Sequence, residues 1–77
     1  VVIIEGVRTP FTRARTVFHS IPPSLLGGSV LRETVARAQM DPHCVEEVYF
    51  GIVSPPAEGP NVSREALFDA GLPAHIP

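Results

Sequence analysis

The feature of this sequence that most constrains its fold is the opening run of β-branched residues, Val1 to Ile4. The run has no polar alternation, which is typical of a strand buried on both faces within a parallel sheet. Such a strand needs neighbouring strands and two covering layers, so the pattern predicts a central strand at about residues 1–5. Because the chain starts within this strand, without a lead-in segment, we expect the 77 residues to be a piece of a longer protein.

A long polar loop and an amphipathic helix are predicted to follow this strand. Pro10 ends the strand region, and Ser24 is predicted to be the N-cap of a helix at about residues 25–40. The apolar stripe of this helix, which we expect to face the sheet, consists of Gly27, Val30, Leu31, Thr34, Val35 and Ala38. Gly27 lies in the middle of the stripe, where it indicates a close approach of the helix to a strand.

The second half of the sequence repeats this order of strand and helix. An apolar, aromatic-rich stretch predicts a second strand at about residues 47–53. Asn61 is predicted to be the N-cap of a second helix at about residues 61–70, and the tail, residues 73–77, has no evident partner. The inner stripe of this helix consists of Val62, Ser63, Ala66, Leu67 and Ala70. The predicted fold is therefore α/β, a βαβα unit with a mostly parallel sheet and a right-handed crossover.

The composition excludes several classes of function. All six basic residues are arginine and the net charge is −2, which is not the pattern of a nucleic-acid-binding protein. No apolar run approaches the roughly 20 residues that a membrane span requires. Nine prolines indicate that much of the chain is loop. A single cysteine excludes an internal disulfide and fits a reducing compartment.

Cys44 is the first candidate for catalysis, but its position argues against a nucleophile. A reactive thiolate needs a helix N-terminus or a nearby base, whereas Cys44 follows a predicted helix C-terminus and precedes Glu46 and Glu47. We therefore predict that Cys44 is an ordinary loop or core thiol. Asp41 and His43 do not make a metal site with Cys44, since adjacent side chains diverge and no second ligand pair follows at a suitable spacing.

Glycines and arginines provide further candidates for ligand binding. Gly27 and Gly28 fit neither of the common phosphate-binding patterns, so a role in packing is favoured. Arg8, Arg13 and Arg15 are compatible with an anionic ligand, but salt bridges or a solvated loop explain them equally well. Both alternatives stay open on the sequence.

Asn61 and Arg64 are a polar pair in the first turn of the second predicted helix. We expect Asn61 to satisfy free helix N–H groups, and Arg64 to donate to carbonyl groups of a neighbouring loop or subunit through its planar fork of donors. These roles are structural, and neither residue is predicted to contact a substrate.

Taken together, four segments of the chain resemble the N-terminal part of the thiolase family. They are residues 1–11 with Arg8-Thr9-Pro10-Phe11, the pair Leu26-Gly27, the segment 45–53, and Asn61-Val62-Ser63-Arg64-Glu65-Ala66 followed by Ala70-Gly71-Leu72-Pro73. Their order and spacing match across nearly the whole chain, and the combination is fairly specific. Within the family, the first and last motifs look most similar to the β-subunit of the fatty-acid oxidation complex, a 3-ketoacyl-CoA thiolase.

The resemblance implies a thiolase fold of two βαβαβαββ halves, of which residues 1–77 cover the opening βαβα of the first. It implies an acyltransferase of the acetyl-CoA C-acyltransferase type, which cleaves a 3-ketoacyl-CoA in fatty-acid β-oxidation. Coenzyme A and acyl-CoA are then substrates, and no cofactor is bound covalently. The family's nucleophilic cysteine lies beyond the next strand, so no catalytic, cofactor-binding or metal-binding residue is assigned within residues 1–77.

The same resemblance implies a homodimer or a larger complex, located in a mitochondrial matrix, a peroxisome or a bacterial cytoplasm. Residues 1–77 are expected to be inactive by themselves. The alternative interpretation is a non-catalytic, truncated thiolase-like chain that acts as an interaction module.

Overall fold

The computed structural model describes residues 1–77 and contains two α-helices joined through a short 3₁₀ helix. Helix α1 spans Pro23–Arg37 and helix α2 spans Val62–Asp69, with the 3₁₀ helix at Pro42–Cys44 between them. The two α-helices overlap the predicted ones at about 25–40 and 61–70. Neither is long and apolar enough to cross a membrane.

The start of α1 differs from the prediction. Pro22 is the N-cap and Pro23 is the first helical residue, so Ser24 lies inside the first turn and the prediction that it caps the helix was wrong. Proline suits the first helical position because its fixed φ matches the helix and the N–H that it lacks would have no partner there. The Pro22 carbonyl oxygen accepts from the N–H groups of Leu25 and Leu26.

Both α-helices end in the same backbone motif. At the end of α1, Gln39 has a φ of 52° and the Met40 N–H donates to the Val35 carbonyl oxygen, so the helix stops before residue 40. At the end of α2, Gly71 has a φ of 73° and the Leu72 N–H donates to the Leu67 carbonyl oxygen. These bonds, which span five residues, define a Schellman motif, in which one residue takes the left-handed conformation.

The core lies between the two helices and the tail. Its buried hydrophobic residues are Val62, Ala66, Leu67, Ala70, Leu72 and Ile76. Leu31 and Val35 of α1 pack against this cluster. Within residues 1–77 the apolar stripe of α1 therefore faces α2 and the tail, whereas it was predicted to face a sheet. Residues 73–77 were expected to have no partner, and the burial of Ile76 corrects that expectation, because its side chain packs into the core from beyond α2.

The close approach of the helices depends on two adjacent glycines. A Cβ atom on Gly28 would lie 2.8 Å from the Asp69 Cβ and 3.2 Å from the Ala66 carbonyl oxygen. A Cβ atom on Gly27 would lie 2.8 Å from the edge of the Phe50 ring and 3.1 Å from the Ala66 Cβ. The predicted close contact at Gly27 is thus present, and it involves α2 as well as a residue of the second predicted strand.

No β-sheet is formed within residues 1–77. The chain has 30 backbone–backbone hydrogen bonds, against about 50 expected for a folded chain of this length. Residues 1–15 take part in none of these bonds, and residues 46–60 take part in one. The radius of gyration of 12.9 Å likewise exceeds the about 11.5 Å expected for a compact chain of 77 residues. The strands at about 1–5 and 47–53, and the sheet itself, therefore remain predictions.

Residues of both stretches nevertheless lie near α1. Residues 2–5 line a cleft together with Thr34, Val35 and other residues in the C-terminal half of α1. Phe50 contacts the N-terminal half at Gly27. Residues of both predicted strands therefore lie near the same helix, while the side chains of Val1 to Ile4 remain exposed.

Candidate functional site

Polar contacts concentrate where the second predicted strand meets α2 and the tail. The Val48 N–H donates to the Pro77 carbonyl oxygen at 3.2 Å, and the Val48 carbonyl oxygen accepts from the Ser63 hydroxyl at 3.1 Å. Both backbone groups of Val48 are therefore satisfied, one by the tail and one by α2. Val48 therefore makes the backbone hydrogen bonds that attach the stretch 47–53 to the folded core, and Phe50 of the same stretch approaches α1 at Gly27.

Arg64 ties the tail to α2 from the opposite side of this junction. Its Nη1 donates to the Ile76 carbonyl oxygen and its Nη2 donates to the Ala74 carbonyl oxygen. The guanidinium group also stacks on the Phe68 ring, 4.4 Å from the ring centroid, one helical turn further on. The expectation that Arg64 uses its fork on the carbonyl groups of a neighbouring loop is confirmed, and that loop is the turn at residues 73–76.

Asn61 holds the start of α2, as the sequence predicts. Its side-chain oxygen accepts from the Arg64 backbone N–H at 3.1 Å, which satisfies one of the free donors of the first turn. The cap and the fork therefore act at the same residue, since Asn61 fixes the backbone of Arg64 while the Arg64 side chain reaches the tail.

The largest cleft lies between the starts of the two α-helices and has a volume of about 540 Å³. Residues 19–24, which lead into α1, form one wall, and residues 56–59 with the first turn of α2 form the other. His19, Glu58 and Glu65 are its titratable residues, and no cysteine lines it. The cleft offers polar groups for binding and no thiol for acyl transfer.

Cys44 takes part neither in the polar contacts around Val48 and Arg64 nor in the lining of the cleft. It is exposed at the end of the 3₁₀ helix, where its backbone N–H donates to the Asp41 carbonyl oxygen at 2.8 Å. The Asp41 carboxylate accepts from the His43 backbone N–H at 2.9 Å and contacts the His43 ring at 3.0 Å. The pKa of Asp41 lies below its usual value, chiefly because its carboxylate accepts the hydrogen bond from the His43 backbone and secondly because of its contact with the His43 ring. Asp41 therefore caps the 3₁₀ helix, and no group of three or more potential metal ligands is present in residues 1–77.

The three arginines of the first loop do not form a common site. Arg8 stacks on the Phe11 ring at 4.3 Å and donates to the Thr9 carbonyl oxygen. Arg13 and Arg15 are exposed, and neither forms an ion pair with a carboxylate. Of the alternatives left open by the sequence, salt bridges are not what the structure shows for these residues. All three side chains are exposed, as in a solvated loop, and an anionic ligand stays a hypothesis for Arg8, Arg13 and Arg15.

The role of the tail was not predicted from the sequence, although a signal for it was present. In a Schellman motif the residue after the left-handed one commonly packs back onto the helix. Leu72 occupies that position and belongs to the core cluster together with Leu67 and Ile76. The pair Gly71-Leu72 therefore already indicated that the chain turns back toward α2 and does not lead away from it.

Comparison with known proteins identifies the family of this chain. Residues 1–77 match the family described as "Thiolase, N-terminal domain". The chain is 41% identical over 75 residues to the 3-ketoacyl-CoA thiolase of Enterobacter sp. (strain 638), and 40% identical over 75 residues to those of Escherichia fergusonii and Erwinia tasmaniensis. Each alignment covers 97% of this chain but 17% of the relative. No solved structure matches the chain. With the family matched from the first residue to the last, the chain belongs to the thiolase family, within its N-terminal domain.

Proposed function

We propose that this chain is part of a thiolase-type acyltransferase that cleaves 3-ketoacyl-CoA. In this reaction the carbon–carbon bond between C2 and C3 of the 3-ketoacyl group breaks. The shortened acyl group passes to the sulfur of coenzyme A, and acetyl-CoA is released. The observation that carries the proposal is the identity of about 40% to proteins named 3-ketoacyl-CoA thiolase, which extends over 97% of the chain.

Within that enzyme, we assign residues 1–77 a structural role. The chain spans 17% of the length of the relatives it matches, and the one thiol it contains lies in a 3₁₀ helix rather than at the N-terminus of a helix. A helix N-terminus or a basic neighbour is what lowers the pKa of a nucleophilic cysteine. The reacting groups, the coenzyme A site and the contacts of a homodimer or larger complex therefore belong to the complete protein.

The test is a thiolysis assay on the complete protein that contains this chain. With acetoacetyl-CoA and a longer 3-ketoacyl-CoA as substrates, we expect consumption of free coenzyme A and release of acetyl-CoA. Residues 1–77 alone serve as a control and should be inactive. A second control is Cys44→Ser in the complete protein, which should retain the activity of the unmodified enzyme.

Two results would contradict the proposal in different ways. Absence of thiolysis by the complete protein, with either substrate, would favour the non-catalytic, thiolase-like interaction module instead. Loss of activity in Cys44→Ser without loss of folded protein would place a catalytic role within residues 1–77.

A further inference from the structure

Three kinds of contact hold the tail against the rest of the molecule. Residues 72–77 are anchored by the side chains of Leu72 and Ile76 in the core, and by the hydrogen bond between the Pro77 carbonyl oxygen and the Val48 N–H. Arg64 adds two hydrogen bonds to carbonyl groups in the middle of this segment. Side-chain packing alone would let the backbone slide, because apolar contacts are not directional.

The geometry of the arginine fork removes that freedom. The donors on Arg64 lie in one plane, and they bind carbonyl oxygens two residues apart, those of Ala74 and Ile76. A segment displaced by one residue would present different carbonyl groups to the fork.

From these contacts we infer that Arg64 is a positioning residue that fixes which backbone group of the tail lies opposite Val48. It acts through the tail and does not itself contact Val48, whose partners are Pro77 and Ser63. Phe68, stacked beneath the guanidinium group, holds the plane of the fork. The consequence is that the chain passes Val48, at the start of the predicted strand 47–53, in one defined register. The inference concerns backbone geometry, so it stands or falls independently of the proposed acyl transfer.

Arg32 provides a matched comparison within the same molecule. Its guanidinium group also donates to a backbone carbonyl oxygen, that of Asp69 at 2.6 Å, but it does so through one nitrogen only. This contact joins α1 to the end of α2 and leaves the tail free. Lysine can replace a single donor, whereas it cannot replace a fork.

The test is residue-resolved amide hydrogen exchange on the complete protein, comparing Val48 with Ala70. The Val48 N–H depends on the tail, while the Ala70 N–H donates to the Ala66 carbonyl oxygen at the end of α2. For Arg64→Lys we expect exchange at Val48 to rise about tenfold, the loss of one charge-assisted bond, with Ala70 changed less than about twofold. Arg32→Lys should leave Val48 within about twofold of the original protein.

Phe68→Leu provides a second, milder variant, because Phe68 is half exposed and its replacement keeps α2 apolar at that position. It should raise exchange at Val48 in the same direction as Arg64→Lys and by less. Equal increases at Val48 and Ala70 in both variants would show general destabilisation and overturn the inference. An unchanged rate of amide exchange at Val48 in Arg64→Lys would overturn the inference as well, since a positive charge at position 64 would then suffice to hold the tail.

Discussion

Residues 62–76 and residues 1–5 both contain several large apolar side chains. Those of the first region are largely buried, whereas those of the second region are exposed. In the first region Leu67 and Ile76 are each 1% exposed, whereas Ile3 in the second region is 95% exposed. The difference follows from the backbone. A helix satisfies its N–H and C=O groups within itself, while a strand needs a neighbour to satisfy them. An apolar helix can therefore pack as soon as one partner helix is present, and an apolar strand cannot.

The largest expected effect separates the two regions directly. Leu67→Ala removes a buried side chain and should cost about 2–5 kcal/mol, which is most of the stability that so small a core supplies. Val53→Ala alters a side chain that is 100% exposed and should change stability by less than about 0.5 kcal/mol in residues 1–77. Circular dichroism at 222 nm measures both. Equal loss of helical signal in the two variants would show that the side chain of Val53 also contributes to the core.

The two glycines of α1 give a smaller and finer contrast. In Gly28→Ala the new methyl group meets the backbone of α2, so we expect a cost of about 1–3 kcal/mol in spite of the higher helix propensity of alanine. In Gly27→Ala the nearest atom belongs to the Phe50 ring, which can move, and the net change should stay within about 1 kcal/mol. Thermal unfolding of the two variants side by side measures the difference. A larger cost at Gly27 than at Gly28 would mean that Phe50 is held firmly.

The two helix ends give the smallest effect and test local backbone strain. Gln39 adopts a left-handed conformation that glycine adopts freely, so Gln39→Gly should stabilise the chain by about 0.5–1 kcal/mol. Gly71→Ala should cost about 1 kcal/mol, because the same conformation is then imposed on a residue with a Cβ atom. The midpoint of urea unfolding measures each change. A stabilising Gly71→Ala would contradict the motif assigned to the end of α2.

What the sequence predicted correctly was local in origin. The cap at Asn61 and the inner stripe of α2 follow from residues within one or two turns of one another, and both are present. The prediction that Ser24 caps α1 failed because the two prolines before it already set the start of the helix. The pair Gly71-Leu72 indicated that the chain turns back toward α2, but the bond from Val48 to Pro77 joins residues far apart in sequence. Periodicity carries no information about such a pair, so it could not be predicted.

In the candidate site, too, the sequence predicts the local features and not those that depend on distant residues. The use of Arg64 as a fork was predictable from its residue type and its place in the helix, while the identity of its partners was not. The isolation of Cys44 from a helix N-terminus was likewise predictable from its neighbours in sequence. The cleft formed by residues 19–24 and 56–59 depends on how two loops meet, which the sequence pattern did not indicate.

We propose that residues 1–5 and 47–53 are strands whose partners are supplied by the rest of a thiolase fold. Amide hydrogen exchange at Ile3 and Ile52 tests it most directly, measured in residues 1–77 alone and in the complete protein. In residues 1–77 we expect both amides to exchange at close to the unprotected rate, since neither takes part in a backbone hydrogen bond. In the complete protein we expect exchange slower by about a thousandfold or more, as for strands within a sheet. Unprotected exchange at both positions in the complete protein would contradict the claim.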